Sequence, residues 1–144
     1  MDAFDPFQPE PRRNALRLTF RYVGTEIRVV SEQRVEMVTP FSDRLDEYEG
    51  HSGAWLELRD AHERVIYRRV IRNPIDTYVE APSGDPNRPF THVPKDPPEG
   101  IFVLVTPDLP EAVSLHLFAT VPPNRADAAK EISRVSLRAQ RKQE

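Results

Sequence analysis

Gly53-Ala54-Trp55-Leu56-Glu57-Leu58-Arg59 and Arg64-Val65-Ile66-Tyr67-Arg68-Arg69-Val70-Ile71-Arg72 flank the polar link Asp60-Ala61-His62-Glu63. In the first run Ala54, Leu56 and Leu58 alternate with Trp55, Glu57 and Arg59, the period of two of a half-buried strand. In the second, Val65, Tyr67 and Arg69 fall on one face and Ile66, Arg68 and Val70 on the other. β-Branched and aromatic residues suit strands, and a four-residue polar link suits a hairpin. The pattern predicts a hairpin at the centre of a β-sandwich.

Working outward, Asn14 to Tyr22 alternates cleanly, with Leu16, Leu18, Phe20 and Tyr22 inward and Arg17, Thr19 and Arg21 outward. After Gly24-Thr25, Ile27 and Val29 alternate until Val30 breaks the phase. A bulged long strand or two short strands would each explain that slip. Thr39 to Ser52 carries the acidic run Asp43, Asp46, Glu47 and Glu49, and reads as a long polar connection. Brief strands are expected at 75–79 and 90–93, with residues 82–89 as a surface loop between them. Ile101 to Val105 is nearly all apolar, as in a strand covered on both faces. Val113, Leu115 and Leu117 alternate with Ser114, His116 and Phe118, which places His116 on the outer face. Fifteen prolines punctuate these runs and oppose long helices before residue 124. Seven or eight strands follow, making an all-β, immunoglobulin-like antiparallel sandwich over residues 14–121.

The ends read differently. Residues 1–13 combine Asp2, Asp5 and Glu10 with three prolines, the composition of a flexible leader whose Phe4 and Phe7 could insert into a partner. From residue 124 to 141 a helix is expected. Asn124 and Asp127 suit its N-terminus, and Ala128, Ile132, Val135 and Ala139 step by four, three and four along a charged rod.

The bulk numbers exclude more than they assign. The chain has 144 residues and a net charge of -3, with a local excess of three positive charges over 125–144 that leaves the body about six negative. Nothing there calls for nucleic acid, and no apolar run reaches membrane-spanning length. No cysteine is present, which removes disulfides, thiolate nucleophiles and thiolate metal sites. The start of the chain resembles no signal peptide, so a cytoplasmic location is expected. Lysine occurs at 95, 130 and 142 while arginine is abundant, a bias compatible with a GC-rich bacterial genome.

No catalytic motif stands out. His51, His62, His92 and His116 lack zinc-ligand spacing and read as solvated side chains. The acidic run at 43–49 reads as a solvated loop and fits no calcium loop. No glycine-rich phosphate cradle or nucleophile elbow occurs, so no cofactor, metal or enzymatic activity is expected. Trp55 has two readings: with Tyr48 it could offer a stacking platform to a sugar, or it could pack in the core. A lone tryptophan in a sandwich favours the core. The remaining expectation is a non-enzymatic adaptor or assembly subunit that binds protein. Its contacts would come from the helical seam Ala128, Ile132 and Val135 with Arg134, from the arginine-rich face around Arg68, and from Phe4 and Phe7. A second copy of the chain is a further candidate partner. A carbohydrate-binding or other ligand-binding module built on Trp55 and Tyr48 is the alternative.

Tyr22-x-Gly24, the Glu26–Val38 segment, and Leu58-Arg59-Asp60-Ala61 leading to Val65-Ile66-Tyr67-Arg68 resemble the N-terminal immunoglobulin-like domain of the bacterial M64 (IgA-peptidase) family. The resemblance covers roughly residues 14 to 120. It implies a sandwich module that accompanies a separate zinc peptidase domain. No His-Glu-x-x-His occurs in this chain, so no catalytic residue carries over.

Overall fold

The computed structural model describes residues 14–45, 48, 50–75, 78–94, 96–120 and 128–137. Nine strands follow in chain order: β1 (Asn14–Val23), β2 (Glu26–Glu36), β3 (Ala54–Arg59), β4 (Val65–Val70), β5 (Tyr78–Asp85), β6 (Arg88–Pro94), β7 (Glu99–Pro107), β8 (Ser114–Ala119) and β9 (Lys130–Ser136). All pairings are antiparallel. One sheet runs β2-β1-β7, a second runs β4-β3-β8-β9, and β5-β6 form a separate ribbon.

The two larger sheets share one core, a sandwich-like arrangement. Leu16, Leu18 and Phe20 of β1 and Leu104 of β7 meet Leu56 and Leu58 of β3, Tyr67 of β4, and Leu115 and Leu117 of β8. Phe20 stacks on Phe102 at 4.9 Å between ring centroids, a geometry that adds to plain area burial. The inward set expected for β1 is buried, together with Ala15. Gly24, at φ +61°, occupies the first central position of the two-residue turn between Val23 and Glu26, where a type II′ hairpin needs glycine. The phase slip in β2 is a bulge: Thr19 pairs with Ser31 and Phe20 with Val29, so Val30 has no partner opposite and is exposed.

Three expectations are corrected. The expected C-terminal helix is a strand over Lys130–Ser136, paired with β8. Ile132 and Val135 are three residues apart, a helical step, yet both pack on the core. A bulge reconciles the two: Leu117 pairs with Ser133 and Phe118 with Glu131, so Ile132 is the extra residue and the phase resets before Val135. The second sheet thereby continues past residue 121. The expected loop at 82–89 is largely strand, turning only at Pro86-Asn87. Last, β7 is covered on one face alone. Phe102, Leu104 and Thr106 face the core, whereas Ile101 and Val103 are 68% and 51% exposed.

Candidate functional site

The outer face of the second sheet is built from side chains that the ladder sets directly opposite one another. Arg68 pairs with Glu57, Glu57 with His116, and His116 with Arg134, giving one polar row across all four strands. The neighbouring row runs Val70, Trp55, Phe118 and Glu131. An outward face of charged residues would ordinarily be wet. Here Glu57 is 3% exposed, Arg68 5% and His116 2%.

For Arg68 that burial comes in part from the 40–45 segment, which lies against β4. Asp43 N–H donates to the Arg68 carbonyl at 2.7 Å, and Val70 N–H donates to Asp43 Oδ2 at 2.7 Å. Arg68 N–H donates to Ser42 Oγ at 3.0 Å, and the Tyr67 hydroxyl to the Pro40 carbonyl at 3.0 Å. The edge of β4 is thus capped, and Tyr48 is laid over the face.

Glu57 lies at the centre. Its Oε1 accepts from Arg68 Nη2 at 2.6 Å and from Trp55 Nε1 at 3.1 Å, and its Oε2 accepts from Arg59 Nη2 at 2.9 Å. Around it the Arg68 guanidinium sits 4.1 Å above the Tyr48 ring, Tyr48 meets Trp55 edge-on at 5.1 Å, and Trp55 stacks on Phe118 at 5.3 Å. Arg59 closes the circuit over Phe118 at 5.8 Å. Burial alone would raise the Glu57 carboxyl, but the bonds from Arg68, Arg59 and Trp55 outweigh it and hold it below the usual range.

A second constellation lies along β8 and β9. Ser114 Oγ is 2.8 Å from His116 Nε2, and His116 Nδ1 bonds Glu131 Oε1. Glu131 also accepts from Arg134 Nη2 at 3.1 Å. A carboxylate only accepts, so the imidazole proton sits on Nδ1 and leaves Nε2 to accept from the Ser114 hydroxyl. Burial pushes His116 below its ordinary value, with Glu131 pulling the other way. Glu131 is held below the usual carboxylate range: burial would raise it, and the bonds from His116 and Arg134 prevail.

The residues singled out from the sequence fall in different places. Trp55 is 4% exposed under Tyr48 and Phe118, which removes it as an open stacking platform; Tyr48 is half-buried. Both line a groove of about 480 Å³ with Arg44, His51 and Val70. Arg68 is buried on Glu57 rather than presented outward. Ile132 and Val135 face the core, while Ala128 and Arg134 are exposed. Phe4 and Phe7 lie outside the described residues. His116, expected as a solvated side chain, is buried within the polar row. The Ser114-His116-Glu131 set went unnoticed in the sequence because its third member comes from a strand read as helix.

A further surface lies at the edge of β7 away from β1, where no strand pairs with it among the described residues and Arg69 Nη1 reaches the Val105 carbonyl at 3.4 Å. Ile101, Val103 and Val105 form a stripe on the outer face, paired in the ladder with Arg21, Thr19 and Arg17. Beside it a groove of about 470 Å³ is lined by Met37, Val38, Pro40, Arg69, Ile71 and Val103. Among the described residues, no group of three or more histidine, cysteine or acidic side chains is placed to hold a metal ion. No helix among them is long and apolar enough to cross a membrane. Comparison with known proteins finds no matching family model, no similar curated protein and no similar solved structure.

Proposed function

We propose that the chain is a protein-binding module of immunoglobulin-like type, and that it takes an extended segment of its partner along the edge of β7 away from β1. The exposure of Ile101 and Val103 on a nine-residue edge strand carries the proposal. Natural sheets blunt such edges with charges, prolines, bulges or a covering segment, as the 40–45 segment covers β4. β7 has β1 on one side and, among the described residues, no strand on the other. Strand addition satisfies the edge's amides and carbonyls, while pockets for alternate side chains supply selectivity. On the outer face the stripe meets apolar residues of the partner, while Arg69 and Arg72 line the groove on the other side of the edge. Successive side chains of an added strand point to opposite faces, so the matching segment alternates apolar with acidic residues.

The bacterial, cytoplasmic adaptor role and the kinship with the M64 accessory domain belong to the same proposal. Terminal contacts through Phe4, Phe7 and Ala128 would add to the edge. The carbohydrate reading has less support, since Trp55 is covered.

The test is binding of the full chain to an array of extended octapeptides, half alternating apolar and acidic residues, half alternating apolar and basic. Binding confined to the acidic series, lost in Ile101→Lys and kept in the surface control Glu111→Lys, supports the reading. Equal binding by Ile101→Lys overturns it, as does failure of every peptide to bind. Self-association by sedimentation that Ile101→Lys abolishes would assign the edge to a second copy instead.

A further inference from the structure

We propose that Ser114, His116 and Glu131 form a nucleophile-base-carboxylate relay that accepts the acyl group of small carboxylic esters. The assignment is independent of the β7 edge, because the two sites lie on different sheets. It rests on the order and identity of the contacts: Ser114 Oγ lies on His116 Nε2 at 2.8 Å, and the other ring nitrogen is on Glu131. Such a set is recognised by geometry and roles, not by fold or chain order.

Local burial supports the roles. His116 sits under the sheet surface, whereas Ser114 is half-buried and reachable. The charged groups facing the imidazole are Glu57 and Arg59 from β3 and Glu131 and Arg134 from β9. Burial keeps the ring neutral at neutral pH, the form a general base needs. Arg59 stands across the ladder from Ser114, but its guanidinium is held on Glu57 Oε2 at 2.9 Å and over Phe118, so the proposal assigns it no part in the acyl step.

The step balances with water as co-reactant. Ser114 Oγ adds to the ester carbonyl carbon as its proton passes to His116 Nε2. The bond to the leaving oxygen then breaks with its electron pair on that oxygen, which takes the proton from the imidazolium. In the second half His116 draws a proton from water, the resulting hydroxide adds to the acyl carbon, and the bond to Oγ breaks. Ser114 recovers its proton; the net products are a carboxylic acid and an alcohol. Glu131 is a positioning residue, fixing the tautomer and stabilising the imidazolium.

The full chain would be treated with a biotinylated alkyl fluorophosphonate and, separately, with p-nitrophenyl acetate. Wild type, Ser114→Ala and Glu131→Gln are compared, each checked for folding by Trp55 emission. The expected result is one adduct mapped to Ser114 by mass spectrometry and absent from Ser114→Ala. Ester hydrolysis should fall on the order of 10²-fold in Glu131→Gln. The wild-type rate should rise with pH to a plateau with its midpoint below 6.5, and Glu131→Gln should move that midpoint lower, since Glu131 favours the imidazolium. No adduct at Ser114, or hydrolysis unchanged in Ser114→Ala, overturns the proposal. Should Glu131→Gln fail to fold, the Ser114→Ala comparison decides alone.

Discussion

Replacing Glu57 by Gln tests whether the covered polar row is a supporting element of the fold. The side chain keeps its volume, but the charge that Arg68 faces disappears. Arg68 is almost as deeply buried as Glu57, with 6% and 4% of their side chains exposed, so water cannot replace the lost partner. An amide also turns an NH2 group towards one of its donors, Arg59 or the Arg68–Trp55 pair. Breaking a buried ion pair from one side costs about 3–5 kcal/mol. With a urea slope of about 1.5 kcal/mol/M, the lower figure moves the midpoint down by about 2 M. It also lowers Tm by about 10 °C for a chain of this size.

Trp55 donates to the same carboxylate, so its emission follows the transition directly. The decisive comparison is the double variant Glu57→Leu, Arg68→Met, which removes both charges and fills the space. It should recover part of the lost stability, because an apolar replacement of a buried pair is often neutral, while Trp55 Nε1–H and the Arg59 guanidinium still lose their shared acceptor. A single-variant cost under about 1 kcal/mol would show that water reaches Arg68. A double variant no better than Glu57→Gln would show that the penalty is not an orphaned charge. Either result refutes the argument. The pH sign is also fixed: Glu57 is depressed in the fold, so its contribution is present above its unfolded value of 4.5 and is lost as pH falls through the folded value.

Two other outcomes are expected. Glu63 sits at φ +61° in the β3–β4 turn; Glu63→Gly should stabilise the chain by up to about 1 kcal/mol in urea melts, because left-handed backbone is costly for any residue with a Cβ. For His116 the folded value lies below its unfolded 6.5, so the unfolded chain binds the extra proton between the two. Stability should be full above 6.5 and fall as pH drops towards the folded value, by at most about 1.4 kcal/mol per pH unit. His116→Gln should remove that slope from pH-dependent melts, whatever its effect on the midpoint at neutral pH.

Strands with one wet face were legible because alternation alone reports them. β1 shows this: Leu16, Leu18, Phe20 and Tyr22 are buried and Arg17 and Arg21 exposed. Alternation fails where a bulge intervenes. In β9 the extra residue at Ile132 turns a two-residue period into a three-residue step, which a helix produces equally well. It also cannot report what covers a face. Trp55, Glu57 and Arg59 share the outward side of β3, where Trp55, expected in the core, is instead covered by Tyr48 and Phe118, and Glu57 is buried among Trp55, Arg59 and Arg68. An apolar run misleads in the opposite sense: Ile101 to Val105 has the composition of a doubly covered strand, but only its Phe102 and Leu104 side has a partner in this chain.

That last mismatch bears on function through the contrast between two edges. The fold covers the β4 edge with the 40–45 segment, using Ser42 and Asp43 to occupy the Arg68 and Val70 amides. Among the described residues no such segment covers β7, whose outward residues are the more apolar. A sequence under selection only for solubility would place Lys or Glu at 101 and 103, as edge strands commonly do. Retaining Ile101 and Val103 costs solubility and gains nothing within the described fold. In the proposal above, these residues are half of a contact whose other half is the partner's strand. On the outer face of the second sheet Arg68 lies under Tyr48 while Ser114 is only half-buried, so the relay proposed there has its open side at Ser114.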